Sequence, residues 1–365
     1  MSERIRLRGA VVADAEREYP AVWVRDGRLT LNDPGGSAGD VTIEGWVVPG
    51  LVDVHCHLGL GADGAVDAET TLAQARADLA AGTLLVRDAG SPIDSRWLQE
   101  RDDTPELIRS GHHLARPRRY LRHYATELDD VTQLPAAMAG QAAFGDGWVK
   151  IVGDWIDRSR GEDSDLEPLW PADVLAAGVA AAHAGGARVT VHTFATETID
   201  DVLAAGVDCI EHGTGMTTGQ ISTAAAAGIP VVPTLLQIAQ FDAIAEQGEA
   251  KFRRFAHHMR GMYDRRYDQV RDFHDAGVQL LVGTDAGGTI EHGRIADETA
   301  ELAKSGIPAI DILAAASWAA REFLGRPGIE EGAPADVVVY PADPREDIAV
   351  LGHPTAVIRR GRIVR

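Results

Sequence analysis

Cysteine is almost absent: Cys56 and Cys209 are the only two in 365 residues. That argues against a disulfide-stapled secreted scaffold; two cysteines on separate apolar segments read as small buried hydrophobes in a reducing compartment. Positive charge is also scarce. With 35 Lys and Arg against 55 Asp and Glu, the formal charge is -20, which disfavours nucleic acid or an anionic membrane surface as a partner. No apolar run approaches the roughly 18 residues of a membrane span. The opening MSERIRLRGAVV carries charges where a secretory leader needs an apolar stretch. Low-complexity segments and close repeats are missing too. The expectation is a soluble, cytoplasmic globular protein acting on a small molecule. Length and composition leave the oligomeric state open, and a homo-oligomer is expected.

What is present is ordinary in amount and ordered in arrangement. Apolar residues make up 45% and charged residues 25%, enough for a sizeable core. The length suits one barrel of about 250 residues with a small satellite domain. Short strands are expected at 5–12, 21–24, 28–31 and 41–43, separated by the turn signals Asp26-Gly27 and Pro34-Gly35-Gly36. The C-terminal DVVVYPAD and AVIRRGRIVR, with an Arg360-Gly361 turn, look similar. Residues 1–48 and 334–365 are therefore expected to form one small β-sandwich domain.

Between them, apolar strands alternate with amphipathic helices, the pattern of a parallel α/β fold. Strands are expected at 47–54, 83–88, 107–114, 149–153, 188–192, 209–212, 230–233 and 280–285. Eight of them, each followed by a helical stretch, make 49–333 a (β/α)8 TIM barrel, whose chemistry sits at the C-terminal strand ends. The long helical stretch 239–276 has room for an insertion.

The first of these strands, VVPGLVDVHCHLG, ends in His55-Cys56-His57. Alternation points His55 and His57 to one face, preset to bind one metal ion, with Asp53 on that face as well. Later strands end in VTVH at His192, CIEH at His212 and LLVGTDAG at Asp285. Four imidazoles and a carboxylate suit a divalent ion: zinc by default, with manganese, cobalt or iron fitting the same ligands. Five ligands exceed what one catalytic zinc takes, so two ions share them more comfortably. Lys150, between apolar neighbours in WVKIVGD, is expected to be buried. A lysine there beside two dications favours its neutral form. It could then add carbon dioxide and offer both ions a bridging carbamate; a structural ion pair with a neighbouring acid is the other reading.

VVPGLVDVHCHL, VKIVGD, VHTF, IEHGTG and LVGTDAG, in this order, resemble the metal-dependent amidohydrolase superfamily. TLLVRDAGS around Asp88, His292-Gly293 and the ending EEGAPADVVVYPADPREDI look like the branch with Xaa-Pro dipeptidases, related carboxypeptidases, and phenylurea and ochratoxin hydrolases. The resemblance implies that His55, His57 and Asp285 hold the more buried ion and His192 and His212 the more exposed one, with carboxylated Lys150 as the bridge. It implies a hydroxide between the ions as nucleophile, with Asp285 passing its proton to the leaving amine. The segment GHHLARPRRYLRHY and the residues Gly153-Asp154-Trp155 depart from the dipeptidase pattern, so the chemistry transfers and the substrate does not.

Other residues carry two readings each. Tyr120 and Trp155 are candidate substrate contacts or ordinary packing, and His292 a substrate contact or a support for the ligands. Asp88 either helps bind the site or orders a loop. His112, His113 and His123 lie among arginines; a solvated basic loop is the expectation, with a faint hint of an acidic group on the substrate. His257-His258 reads as surface. The leading function is binuclear hydrolysis of an amide-type C–N bond in a peptide, N-acyl amino acid, carbamate or urea. The alternative is a mononuclear deaminase or cyclic-amide hydrolase. Against it stand Lys150 and the absence of a Glu directly after His192, where Ala195 comes three residues on and Glu197 five. A metal-free binding or scaffold homologue predicts broken ligand positions, and none is broken.

Overall fold

The computed structural model describes residues 4–35 and 40–365; Gly36 of the expected Pro34-Gly35-Gly36 turn lies outside them. Both chain ends meet in one seven-stranded sheet. Its spatial order is Arg362–Ile363, Ala356–Arg359, Val337–Tyr340, Val41–Pro49, Ile5–Val12, Glu18–Arg25 and Arg28–Thr30. Val41–Pro49 runs parallel to Ile5–Val12 and antiparallel to Val337–Tyr340. Alternate residues, among them Leu7, Val24, Val47, Val339 and Ile358, fill one shared core. The sheet curls until its edges meet: a Cβ on Gly361 would fall 2.6 Å from Gly27 Cα.

The strand expected at 47–54 is in fact two. One ends at Pro49 in the terminal sheet and the next, Leu51–Cys56, begins a parallel sheet. Gly50 separates them, where a Cβ would press within 2.3 Å of the Leu84 side chain. In the first parallel sheet, Thr83–Asp88 lies between Leu51–Cys56 and Glu106–Arg109. The second runs Thr126–Glu127, Leu114–Ala115, Trp148–Val152, Arg188–Thr193, Cys209–His212, Val231–Val232. Trp148–Val152 and Cys209–His212 are buried throughout, as strands covered on both faces are. Helices Ala172–Ala184, Thr196–Ala205 and Thr218–Ala227 connect or follow these strands. The last two stop where Gly206 and Gly228 take left-handed backbone, and the chain turns back into the sheet.

Two further expected strands differ from their reading. The 107–114 segment divides into Glu106–Arg109 and a short Leu114–Ala115. The 280–285 segment is apolar but not a regular strand. It bonds to both parallel sheets: Leu281 N donates to Val231 O at 3.0 Å, and Val54 N donates to Val282 O at 3.0 Å. Its pleat is broken by Asp285, whose φ is +56°. At Gly283 a Cβ would lie 2.5 Å from that of His55, so no larger residue fits there. The 239–276 stretch is helical, as Phe241–Gly248 and Arg253–Asp275. Among the described residues no helix is long and apolar enough to cross a membrane. Cys56 and Cys209 are free and buried.

Candidate metal centre

His55 and His57 converge on one oxygen. Their Nε2 atoms lie 3.0 and 3.1 Å from Asp285 Oδ1. His57 Nδ1 sits 2.6 Å from the Gly90 carbonyl, which can only accept, so Nδ1 carries the proton and Nε2 presents its lone pair. Asp53 fixes the backbone beneath: it accepts from His55 N at 3.0 Å and from Thr284 Oγ1 at 2.6 Å. Asp285 N donates to His55 O at 2.7 Å, locking the aspartate beside the strand. Burial pushes His55 well below its ordinary pKa, more than Asp285 restores. Burial alone would raise Asp285, but His55, His57 and His212 together hold its carboxyl well below the usual range.

The second pair comes from neighbouring strands. His212 Nε2 lies 2.9 Å from His192 Nδ1. Thr234 Oγ1 donates its single proton to the Pro233 carbonyl at 2.7 Å and so accepts from His212 Nδ1 at 2.6 Å. That fixes the tautomer of His212 with Nε2 bare. Burial drives His212 down to about 3 and His192 well below its usual value. The rings of His55 and His212 are 5.1 Å apart, so the two pairs share one cavity. His212, Thr234 and Asp285 have φ of +63°, +51° and +56°, a left-handed backbone that costs a non-glycine residue about 1–2 kcal/mol.

Lys150 and Glu211 lie between the pairs, both fully buried and in direct contact. Glu211 also accepts from Thr190 Oγ1 at 2.7 Å and lies 3.8 Å from the Arg87 guanidinium and from His55 Nδ1. Burial lowers Lys150 to about 7. Glu211 was not among the residues expected at the site. The only signal for it is its place in CIEH, beside His212.

The donor set fits divalent metal. Ligating atoms of His55, His57 and Asp285 lie within 4.8 Å of one another, as do those of His55, Glu211 and His212. Burial holds His55, His192 and His212 neutral, the form a metal binds. His55 Nδ1 and His192 Nε2 are buried without a hydrogen-bond partner among the described residues.

Around this centre is a small cavity of about 70 Å³ lined by Tyr120, Tyr124, Trp155, Phe194, Gln237 and Thr289 together with His57, His192 and Asp285. Tyr120 and Trp155, read as candidate substrate contacts or packing, line this cavity. His292 is not among its lining residues; its side chain is buried against Asp78, with Nδ1 2.8 Å from Oδ2, and Gly293 N donates to the same carboxylate at 2.7 Å. It ties the loop after Asp285 to helix Ala68–Ala80. His113 overturns the solvated-loop expectation, being fully buried with its ring 5.8 Å from that of His57. His112 bonds the Ser91 carbonyl at 2.6 Å, and His123 is exposed. Two of the arginines around them turn onto backbone, Arg116 donating to Leu128 O at 3.0 Å and Arg119 to Trp155 O at 3.0 Å and Glu167 O at 3.1 Å, while Arg118 and Arg122 are exposed. Asp88 orders loops, accepting from Leu58 N at 3.0 Å and Gly90 N at 2.8 Å. Asp154 does the same, accepting from Phe194 N at 2.9 Å and Ala195 N at 3.0 Å.

An uncharacterized protein of Mycobacterium tuberculosis is 48% identical over 359 residues, covering 98% of this chain and 95% of its own. The solved structure of a Xaa-Pro dipeptidase with bound methionine superposes with a TM-score of 0.84 at 21% identity, covering all of both chains. That of the A. niger ochratoxinase gives 0.80 at 18% identity, covering 100% of this chain and 96% of the other. Both share this fold. The amidohydrolase family model matches residues 46–364, nearly the whole length. On that match the chain belongs to the amidohydrolase family and is a metal-dependent hydrolase acting on C–N bonds.

Proposed function

We propose that the chain hydrolyses an amide-type C–N bond of a small molecule at a binuclear divalent-metal centre, zinc being the default pair. His55, His57 and Asp285 would hold one ion and His192 and His212 the other, with Lys150, carboxylated, between them. When bound, the ions supply a hydroxide nucleophile near neutral pH and polarise the scissile carbonyl. The observation that carries the reading is the gathering of four buried imidazoles in one place, His55 and His57 on Asp285 and His212 against both His192 and His55, with Nδ1 of His57 and of His212 committed to a fixed oxygen acceptor.

The protein's own groups divide the remaining work. Asp285, kept ionised by its histidine neighbours, takes a proton from the nucleophilic water at Oδ1 or Oδ2 and returns it to the leaving nitrogen. The water oxygen becomes bonded to the carbonyl carbon and the C–N bond breaks, so one water is consumed and one amine released. Tyr120, Trp155 and Phe194 exclude bulk solvent from that end of the cavity. Glu211, which Lys150 touches, also has Arg87 and Thr190 as partners, so it would keep them if Lys150 turned to carbon dioxide as a neutral amine.

The same contact favours a second reading. If Lys150 stays the counter-ion of Glu211, one ion suffices and the chemistry is that of a mononuclear deaminase or cyclic-amide hydrolase. Elemental mass spectrometry on protein purified without chelator, with bicarbonate present, separates them. Two ions per chain support the bridged centre and one supports the second reading. None, even after zinc or manganese is added, would overturn both.

The fold reading that accompanies this is a closed (β/α)8 barrel over 49–333. It is supported by segment 280–286, which hydrogen-bonds on one side to Val231 and on the other to Val54 and His55. The curled terminal sheet of 1–48 and 334–365 is taken as the β-sandwich unit. The setting proposed is the cytoplasm.

A further inference from the structure

The cavity beside the metal centre has no cation of its own. Among its lining residues the titratable groups are His57, His192, Asp285 and the phenols of Tyr120 and Tyr124. Of the nearby arginines, Arg116 and Arg119 donate to backbone carbonyls, Arg119 also faces Asp157 at 3.5 Å, and Arg158 reaches Arg118 O at 3.4 Å. Arg118 and Arg122 are exposed to solvent and do not line the cavity. What the cavity does have is a continuous aromatic wall. Tyr120 and Trp155 meet at 4.8 Å between ring centroids, Tyr120 and His192 at 5.4 Å, and His192 and Phe194 at 4.3 Å. Its spare polar groups are neutral: Trp155 Nε1 is buried without a partner among the described residues, and the Gln237 side chain lines the space.

A carboxylate brought to this wall would be stripped of water with no guanidinium or ammonium among the lining residues to pair with it. Metal held by His57, His192 and Asp285 would be engaged by the scissile carbonyl, leaving the distal group to the aromatic wall. A flat uncharged group gains the burial of its apolar area and ring–ring contact.

We propose that the substrate is uncharged at the end away from the scissile bond. It would be a neutral aryl or alkyl amide, carbamate or urea whose flat group lies against Tyr120, Trp155 and Phe194, with peptides and N-acyl amino acids bearing a free carboxylate discriminated against. This deepens the hydrolase reading and rests on it for the bond cleaved. The pocket preference can be measured apart from it.

The test uses metal-loaded protein and matched pairs that differ only in the distal carboxylate: acetanilide against 4-acetamidobenzoate, and N-acetylphenylalaninamide against N-acetylphenylalanine. Binding is followed by calorimetry and hydrolysis by amine release. The neutral member of each pair is expected to bind at least about tenfold more tightly and to be the one cleaved, and Gln237→Arg to narrow or reverse that ratio. Equal or tighter binding of the carboxylates by the unaltered protein would overturn the assignment, whether or not the variant folds. Neutral members that bind preferentially yet are never cleaved would support the pocket assignment while counting against the hydrolase reading.

Discussion

His212 Nδ1 and Thr234 Oγ1 are 2.6 Å apart, and the threonine's only proton is committed to the Pro233 carbonyl. The hydroxyl therefore works as an acceptor that orients one ligand ring. Thr234→Val keeps the shape and removes the acceptor, leaving His212 free to rotate and exchange tautomers. Metal affinity, measured by competition with a chromophoric chelator, should fall about 10- to 100-fold. Thr234→Ser should restore most of it. A valine variant with unchanged affinity would mean that packing alone positions His212.

Asp285 combines a ligand position with proton transfer. Its φ of +56° suits asparagine almost as well as aspartate, so Asp285→Asn should fold. The amide cannot accept a proton at neutral pH, and general acid–base catalysis contributes about 10²–10⁴-fold. A fall in kcat of at least that size is expected, with metal content assayed on the same sample to separate lost ions from lost proton transfer. Substantial activity with metal retained would assign the proton transfer elsewhere.

Lys150 makes a sharper prediction. Its burial lowers the ammonium to about 7, so a large fraction is neutral amine in mildly alkaline buffer and can react with carbon dioxide. Protein reconstituted with metal and isotopically labelled bicarbonate should show a carbamate carbonyl resonance. Lys150→Met should lack it and hold fewer ions. An unlabelled spectrum with full metal content would leave Lys150 as the partner of Glu211.

The parts of this molecule legible in the sequence are those set by local pattern. Thr83–Asp88 and Cys209–His212 have the bounds read from short segments between turns, each closing on a polar residue. The apolar run ending at Asp285 read as one more such strand. Its irregularity comes from the crossing of His55 over Gly283 and the backbone of Asp285 itself, contacts between residues far apart in the chain. Glu211 went unseen for the same reason, since nothing local marks which acid will meet a lysine 61 positions away. His113 was misread because its neighbours are arginines. Arginine ordinarily signals solvent, but here two of the guanidiniums fold onto carbonyl oxygens and the histidine is covered. His292 offered no local means of choosing between Asp78 and the cavity.

Glu298 carries the last prediction, from a position outside the proposed ligands. Its carboxyl is fully buried and accepts from Leu235 N at 2.6 Å and Leu236 N at 2.8 Å, the residues that follow Thr234. Burial raises it to about 8 from 4.5 in spite of those two bonds. Because the raised value belongs to the folded state, the native protein holds a proton there that the unfolded chain has lost between about pH 4.5 and 8. The stabilisation is complete below the lower value and fades as pH rises through the upper one, by up to about 1.4 kcal/mol per pH unit within the window. Glu298→Gln has no such proton. It turns one amide N–H toward a backbone N–H, a fixed loss of about 1–3 kcal/mol. The variant should therefore be the less stable protein at pH 5.5 and close much of the gap by pH 8. Urea denaturation of both proteins with identical metal loading reads the difference, in which the contribution of the metal centre cancels. Parallel stability profiles across that range would mean that Glu298 is ionised in the native state throughout and that its two backbone bonds outweigh its burial.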